Sequence, residues 1–165
     1  IQILSLKSRL KLNPVVWFSD SQMSGNEINL LTDIKTRKLD SLLIFGNSFV
    51  IEQDSINQNN FNQIEGMYLN GDFINGGLNN LQVLKNIKVI YYLYNDSGEL
   101  VGIDKTICSE LKIKLESNEI KNITFYNSPE GKVHPEDKLD PNLKLLEGFV
   151  WRKSERPESL DDLFK

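Results

Sequence analysis

A pattern of apolar residues that occurs three times limits the possible folds of this 165-residue chain more than any other property. The three copies are Leu39-x-x-Leu42-x-Ile44, Leu78-x-x-Leu81-x-Val83 and Ile120-x-x-Ile123-x-Phe125, spaced 39 and 42 residues apart. A repeat of this length indicates one supersecondary unit used several times, and such units bury their apolar faces by stacking on each other. The sequence therefore predicts several similar units around one shared core.

Each unit is predicted to be a strand, a turn and a second strand. Residues 32–38, 70–77 and 116–119 are rich in types that favour reversals, and each stretch directly precedes one copy of the pattern. Residues 107–115 alternate between the two faces expected of a half-buried strand. The turn Asn95-Asp96-Ser97-Gly98 predicts a further hairpin between strands over 88–94 and 99–103.

The composition agrees with a fold made of strands. The chain has no alanine, the best helix former, whereas Ile, Leu, Val, Phe, Tyr and Asn are frequent. We expect an all-β fold in which residues 1–128 form the repeat domain. Prolines 129, 135, 141 and 157 interrupt ladder bonding, so residues 129–165 are predicted to wrap the body, with a last strand over 143–151 and a short helical turn over 159–164.

Several functional classes are disfavoured. The chain carries 19 Lys and Arg against 23 Asp and Glu, a net charge of −4, which argues against a nucleic-acid binder. No run approaches the roughly 18 to 20 apolar residues of a membrane span. The single Cys108 and the single His134 form no catalytic or metal-binding set, so we expect a protein that is not an enzyme and needs no metal or cofactor. Because the chain begins at Ile1, we expect the natural protein to extend further.

Two interiors are compatible with stacked strand pairs. In one, the apolar ladder packs against itself and leaves a dry, closed core, as in a structural or adhesive β-solenoid. In the other, two sheets do not close fully and leave an apolar trough between them. From the residues alone, the closed core is favoured, because protein interiors are normally close-packed. A polysaccharide-acting enzyme on such a scaffold would need converging acids and bases, and the polar faces show no such focus.

A family resemblance is carried by residues 107–115, by 120–131, which end in Asn-Ser-Pro-Glu-Gly, and by the closing Gly-Phe-Val-Trp-Arg at 148–152 with Arg156-Pro157. These segments resemble the carboxy-terminal part of the OstA-like proteins, relatives of the periplasmic lipopolysaccharide-transport bridge. Residues 21–26 and 66–69 are similar to repeats of the same family. The likeness extends over about residues 15–157, and the closing segment and the repeat pattern are its most specific parts.

This resemblance implies a β-jellyroll, or folded two-sheet "taco", that binds the lipid A part of lipopolysaccharide between its sheets. It also implies a periplasmic location and partners, either other bridge proteins or further copies of the chain, that join through edge strands. We expect a lipid-binding groove lined by repeated apolar positions. They are Ile28, Leu30, Leu42, Ile44, Met67, Leu69, Leu81, Val83, Leu111, Ile113, Ile123 and Phe125.

Overall fold

The structure, a computed structural model, describes residues 1–9, 12–117 and 119–158 and is almost entirely antiparallel β, which confirms the predicted all-β class. The strands are β1 (Gln2–Lys7), β2 (Val15–Phe18), β3 (Ser21–Ser24), β4 (Glu27–Thr32), β5 (Leu39–Gln53), β6 (Phe61–Ile74), β7 (Gly77–Tyr94), β8 (Leu100–Glu116), β9 (Glu119–Tyr126) and β10 (Glu130–His134). Short 3-10 helices follow at Glu136–Lys138, Pro141–Lys144 and Lys153–Glu155. The helical turn predicted over 159–164 lies outside the described residues.

The predicted hairpins are present. Turns connect β4 to β5, β6 to β7, β7 to β8 and β8 to β9, and each of these pairs is antiparallel. The second turn is tighter than predicted, because β6 continues to Ile74 and only Asn75 and Gly76 remain between the strands. Both residues have positive φ, 54° and 86°, which matches the twist that a two-residue hairpin requires.

Each of the long strands β5 to β8 bends near its middle. The ladders between neighbouring strands are interrupted there, and consecutive left-handed residues occur at Gly46 and Asn47 in β5 and at Lys85 and Asn86 in β7. In β6, a Cβ on Gly66 would lie 2.5 Å from the Cγ1 of Val83, so the bend needs a residue without a side chain there. Aligned bulges fold the sheet across all of its long strands.

The bend divides one continuous sheet into two half-sheets. The first half-sheet contains β1, β4 and β9 with residues 39–45, 68–74, 77–84 and 110–116 of the long strands. The second half-sheet contains β2, β3 and β10 with residues 48–53, 61–66, 87–94 and 100–108. The sheet does not close into a barrel, and its architecture is consistent with a jellyroll-like sandwich.

The main hydrophobic cluster lies between the two half-sheets. The rings of Phe18 and Phe73, one from each half-sheet, are 5.1 Å apart, and buried residues from both sides belong to the same cluster. A second cluster lies on the outer face of the second half-sheet, where Ile90, Tyr92 and Ile103 contact Leu139. One face of the first half-sheet therefore remains open to solvent, whereas the second half-sheet is covered on both faces.

Residues 135–158, here called the tail, provide this outer cover. The segment predicted to wrap the body from residue 129 begins with a strand that was not predicted, because Glu130–His134 pair with β8 as strand β10. This strand fits between Pro129 and Pro135, so neither proline removes a donor from its ladder. The prediction of a strand over 143–151 is wrong. This segment passes from a 3-10 helix into irregular chain and forms no β-ladder with any strand of the described residues.

Two buried glutamines hold the tail. Gln63 donates to the carbonyl of Lys144 at 2.9 Å and accepts from the amide of Leu146 at 2.8 Å. Gln22 makes the same pair of bonds, to the carbonyl of Val150 at 2.8 Å and from the amide of Arg152 at 2.7 Å. Gln22 and Gln63 are 1% and 0% exposed and lie in one cross-strand row. Their side-chain amides therefore bond the backbone of the tail to the sheet in place of a β-ladder.

Candidate functional site

The structure brings almost all of the predicted groove residues together between the half-sheets. Eight are buried in the main hydrophobic cluster, and Leu30, Ile123 and Phe125 pack against that cluster while partly buried. The buried residues are Ile28, Leu42, Ile44, Leu69, Leu81, Val83, Leu111 and Ile113. Their common face follows from the register, in which Ile44, Leu69, Val83, Leu111 and Phe125 occupy one cross-strand row.

Met67 does not join this cluster. It follows Gly66 in the bend of β6, where the alternation of faces is interrupted, and it lines a surface groove with Phe49 and Glu147. The sequence pattern placed Met67 with Leu69 because the two are separated by one residue, as residues on one strand face are. That period fails at a bulge.

An apolar cavity of about 40 Å³ lies between the half-sheets. Of the predicted groove residues, Leu81 and Ile113 line it, both from the first half-sheet. The structure adds lining residues that the sequence analysis did not select, namely Phe18, Met23, Val50, Ile64, Leu78, Leu115, Ile120 and Tyr91. Many of these belong to the second half-sheet. The continuous apolar run at 49–51 was the sequence feature that could have indicated a lining from the second half-sheet. Which of its side chains point toward the cavity, however, depends on the bend.

One end of this cavity is polar. Ser19 and Ser21, from the turn between β2 and β3, and Glu52 and Asn62, from the ends of β5 and β6, complete its lining. Ser19 is exposed, so this end faces solvent. The Nδ2 of Asn62 donates to the carboxylate of Glu52 at 3.4 Å, and its Oδ1 accepts from the backbone amide of Tyr92 at 3.0 Å. The site therefore combines an apolar interior with a mouth that contains a carboxylate.

Burial raises the pKa of Glu52 above its ordinary value of 4.5, and the carboxylates of Asp20 and Asp54 add to this rise, while the bond from Asn62 opposes it. Burial, with Glu52 and Asp54 nearby, also raises the pKa of the Tyr91 hydroxyl. Asp54 itself accepts from the hydroxyl of Tyr94, and burial, together with this bond, raises the pKa of Tyr94 to about 12. The mouth thus favours a neutral Glu52 more than water does.

Replacing Glu52 by glutamine is expected to stabilise the protein at neutral pH. The folded state holds the Glu52 proton more tightly than the unfolded chain, so the charged carboxylate costs stability above the raised pKa, and this cost disappears as pH falls below about 4.5. Urea unfolding at pH 7 and pH 4 measures the effect. Glu130→Gln, at an exposed position, is the matched control, and an equal gain for both variants at pH 7 would contradict the assignment.

Both edges of the folded sheet have a free strand side within the described part of the chain. β1 pairs only with β4 and β2 only with β3, whereas β9 and β10 pair only with β8. β1 is the most exposed of these strands, with Ile3 61% and Leu4 57% accessible. Unpaired backbone groups beside exposed apolar side chains are suited to the addition of a further strand.

Other kinds of chemistry have little support among residues 1–9, 12–117 and 119–158. They contain no group of three or more His, Cys, Asp or Glu side chains arranged to hold a metal ion. Burial raises the pKa of the Cys108 thiol, which lowers its thiolate fraction. None of the helices in these ranges is long and apolar enough to cross a membrane.

Comparison with known proteins adds no relative. No protein-family model, curated protein or solved structure matches the chain significantly. The similarity to the OstA-like proteins therefore depends on the residues quoted above, and the functional argument depends on the folded sheet and its interior.

Proposed function

We propose that this protein binds lipopolysaccharide in the periplasm, with the acyl chains of lipid A between the two half-sheets, and passes it along a bridge of proteins toward the outer membrane. The observation that carries the proposal is the apolar cavity lined by both half-sheets and open at a polar end. A lipid with a polar headgroup has the same division between apolar chains and a hydrated end. The residues that resemble OstA-like proteins support the choice of lipid A among such lipids.

Acyl chains would require the half-sheets to separate, because a cavity of about 40 Å³ is far too small for them. The way the half-sheets are joined supports such a movement. They share the long strands through the bend, while β1 is not paired with β2 and β9 is not paired with β10. Opening would therefore break apolar contacts and leave the hydrogen-bonded ladders intact. Each acyl CH₂ that replaces those contacts contributes about 0.8 kcal/mol.

Transfer to neighbouring proteins would use the free sheet edges. β1 offers a six-residue edge, and a partner strand there would extend both the sheet and its apolar inner face. Because no reaction is needed, the direction of transfer would be set by the relative affinities of successive proteins for the lipid.

A structural role with a dry, closed core is the second candidate. The observation that favours it is the dense packing between the half-sheets, where Ile28, Leu42, Leu69 and Leu111 are each 0% exposed. A scaffold of this kind would hold no lipid, and its interior would stay closed in the presence of lipopolysaccharide.

A photo-crosslinking experiment separates the two candidates. A photoreactive amino acid replaces Ile113 in the cavity wall or, as the matched control, Ile90 in the outer cluster, which is equally buried. After incubation with purified lipopolysaccharide and irradiation, we expect a lipid adduct at position 113 and none at position 90.

The unmodified protein provides a second readout that does not depend on the folding of these variants. Purified from cells that make lipopolysaccharide, it should carry lipid A detectable by mass spectrometry. Absence of lipid from the native protein together with absence of the adduct at position 113 would exclude the transport proposal and favour the scaffold.

A further inference from the structure

We infer that the outer face of the first half-sheet is a binding site for a neutral oligosaccharide. This face points away from the interior cavity and is not covered by the tail, so the inference goes beyond the lipid proposal and does not depend on it. The face contains a groove of about 610 Å³, here called the polar groove. Its volume falls in the range typical of ligand sites.

Two cross-strand rows of side chains form the polar groove. The first row, from β5 to β9, is Leu43, Asn70, Gln82, Lys112 and Thr124. The second row is Ser41, Asp72, Asn80, Lys114 and Asn122. Five strands at a spacing of about 4.8 Å give each row a length of roughly 19 Å, which suits a short chain of sugars better than a single small molecule.

Amide and hydroxyl groups dominate these rows. A carboxamide offers two donors and an acceptor, and a hydroxyl offers one donor and two lone pairs, so together they match the mixed donor and acceptor pattern of sugar hydroxyls. Asn70 is exposed, and its side chain has no hydrogen bond to any residue that the structure describes. Asn122 accepts from Thr124 at 3.0 Å, and its amide nitrogen makes no bond within the same described ranges. Both amides are available to a ligand.

The charges on this face largely neutralise each other. Lys114 pairs with Glu116 at 3.6 Å, and Asp72, which keeps its charge, accepts from the neutral amides of Asn79 at 3.2 Å and Asn80 at 3.1 Å. Glu110, beside the groove, accepts from Gln82 at 2.8 Å and pairs with Lys112 at 3.3 Å. Acids and bases that already have partners give no strong field of either sign, so the face favours an uncharged ligand over a polyanion.

An aromatic row borders the polar groove. Phe45, Tyr68 and Tyr126 belong to the next cross-strand row, which lies two residues along each strand from the first row of the polar groove. Phe45 is 40% and Tyr126 39% exposed, although both are large apolar side chains. The ammonium groups of Lys85 and Lys112 lie 5.5 and 5.1 Å from the ring centroids of Tyr68 and Tyr126. Phe45 is therefore the aromatic side chain best placed to stack on the C–H surface of a sugar ring, beside amides that can bond its hydroxyl groups.

Affinity electrophoresis of the whole chain tests the inference. Native gels contain a neutral polysaccharide, such as dextran, glucomannan or galactan, or a polyanion, such as heparin. We expect at least one neutral polymer to retard the protein, with retardation retained at about 0.5 M salt, where screening removes most surface attraction between charges. The double variant Asn70→Ala, Asn122→Ala should bind that polymer at least about tenfold more weakly. Asn59→Ala, in an exposed loop elsewhere, is the matched control.

The inference fails if none of the neutral polymers retards the protein, if only the polyanion does so and salt abolishes the effect, or if the double variant binds as the unmodified protein does. Both substituted asparagines are exposed, so thermal unfolding of the variant should match that of the unmodified protein. Because Asn70 and Asn122 do not line the interior cavity, the double variant leaves that cavity unchanged, and either result leaves the lipid proposal separately testable by crosslinking at Ile113.

Discussion

Replacing Gln63 by leucine is expected to release the tail from the outer face of the second half-sheet. Leucine removes both bonds that Gln63 makes to the tail, together with its bond to the carbonyl of Phe61, and the carbonyl of Lys144 and the amide of Leu146 then lose their partners in a partly buried position. Each unpaired group shielded from water costs about 1–3 kcal/mol while the tail stays docked, so the two groups favour its release, and the loss in the free energy of unfolding should reach at most about 2–4 kcal/mol.

Two measurements detect these outcomes. Urea unfolding reports the loss of stability, and hydrogen exchange reports detachment as faster exchange of the Leu146 amide. Gln22→Leu should act in the same way at Val150 and Arg152, because its pair of bonds is equivalent. Gln58→Leu, at an exposed loop position, is the matched control. Unchanged stability and unchanged exchange in the Gln63 variant would show that the tail is held by its apolar contacts alone.

Replacing Leu81 by alanine is expected to weaken the fold while improving lipid binding. Leu81 is 3% exposed and lines the interior cavity, so its truncation should cost about 2–5 kcal/mol, the range for a buried leucine. The same change enlarges a cavity of about 40 Å³, so less separation of the half-sheets is needed to admit an acyl chain. Under the lipid proposal, the affinity for lipopolysaccharide should therefore rise.

The matched control for this experiment is Leu139→Ala. Leu139 is 6% exposed and belongs to the outer cluster, so it loses the same side-chain volume away from the cavity. We expect it to lower stability without raising lipid affinity. Unfolding by urea and displacement of a fluorescent fatty acid by lipopolysaccharide measure the two quantities. Equal lipid affinities in the two variants would count against a binding site between the half-sheets.

Much of the fold could be predicted from local signals. The absence of alanine and the alternation over 107–115 indicated strands, and Asn95 to Gly98 marked a hairpin, because turn conformations and the period of two are properties of short segments. The same period selected most of the inward face, including Leu69, Leu111 and Ile113, which are all buried between the half-sheets.

The failures occur where the local period is broken. Met67 lies in the part of the bend that belongs to β6, where residues 65–68 contain no turn dipeptide, and the bend exists because bulges in neighbouring strands align only after the strands have paired. The tail is a second example. The prolines indicated where ladder bonding is interrupted. The hydrogen-bond partner of the backbone at residues 144 and 146, however, is Gln63, which is more than 80 residues away in the sequence.

The sequence by itself thus determined most of the strands, most of their turns and most of the side chains that face the core, because each depends on neighbours within a few residues. Only the tertiary structure decided that one sheet folds on itself, which half-sheet the tail covers and which face stays open as the polar groove. These properties depend on contacts between distant segments, which form only when the long strands bend together and the buried amides of Gln22 and Gln63 find the tail.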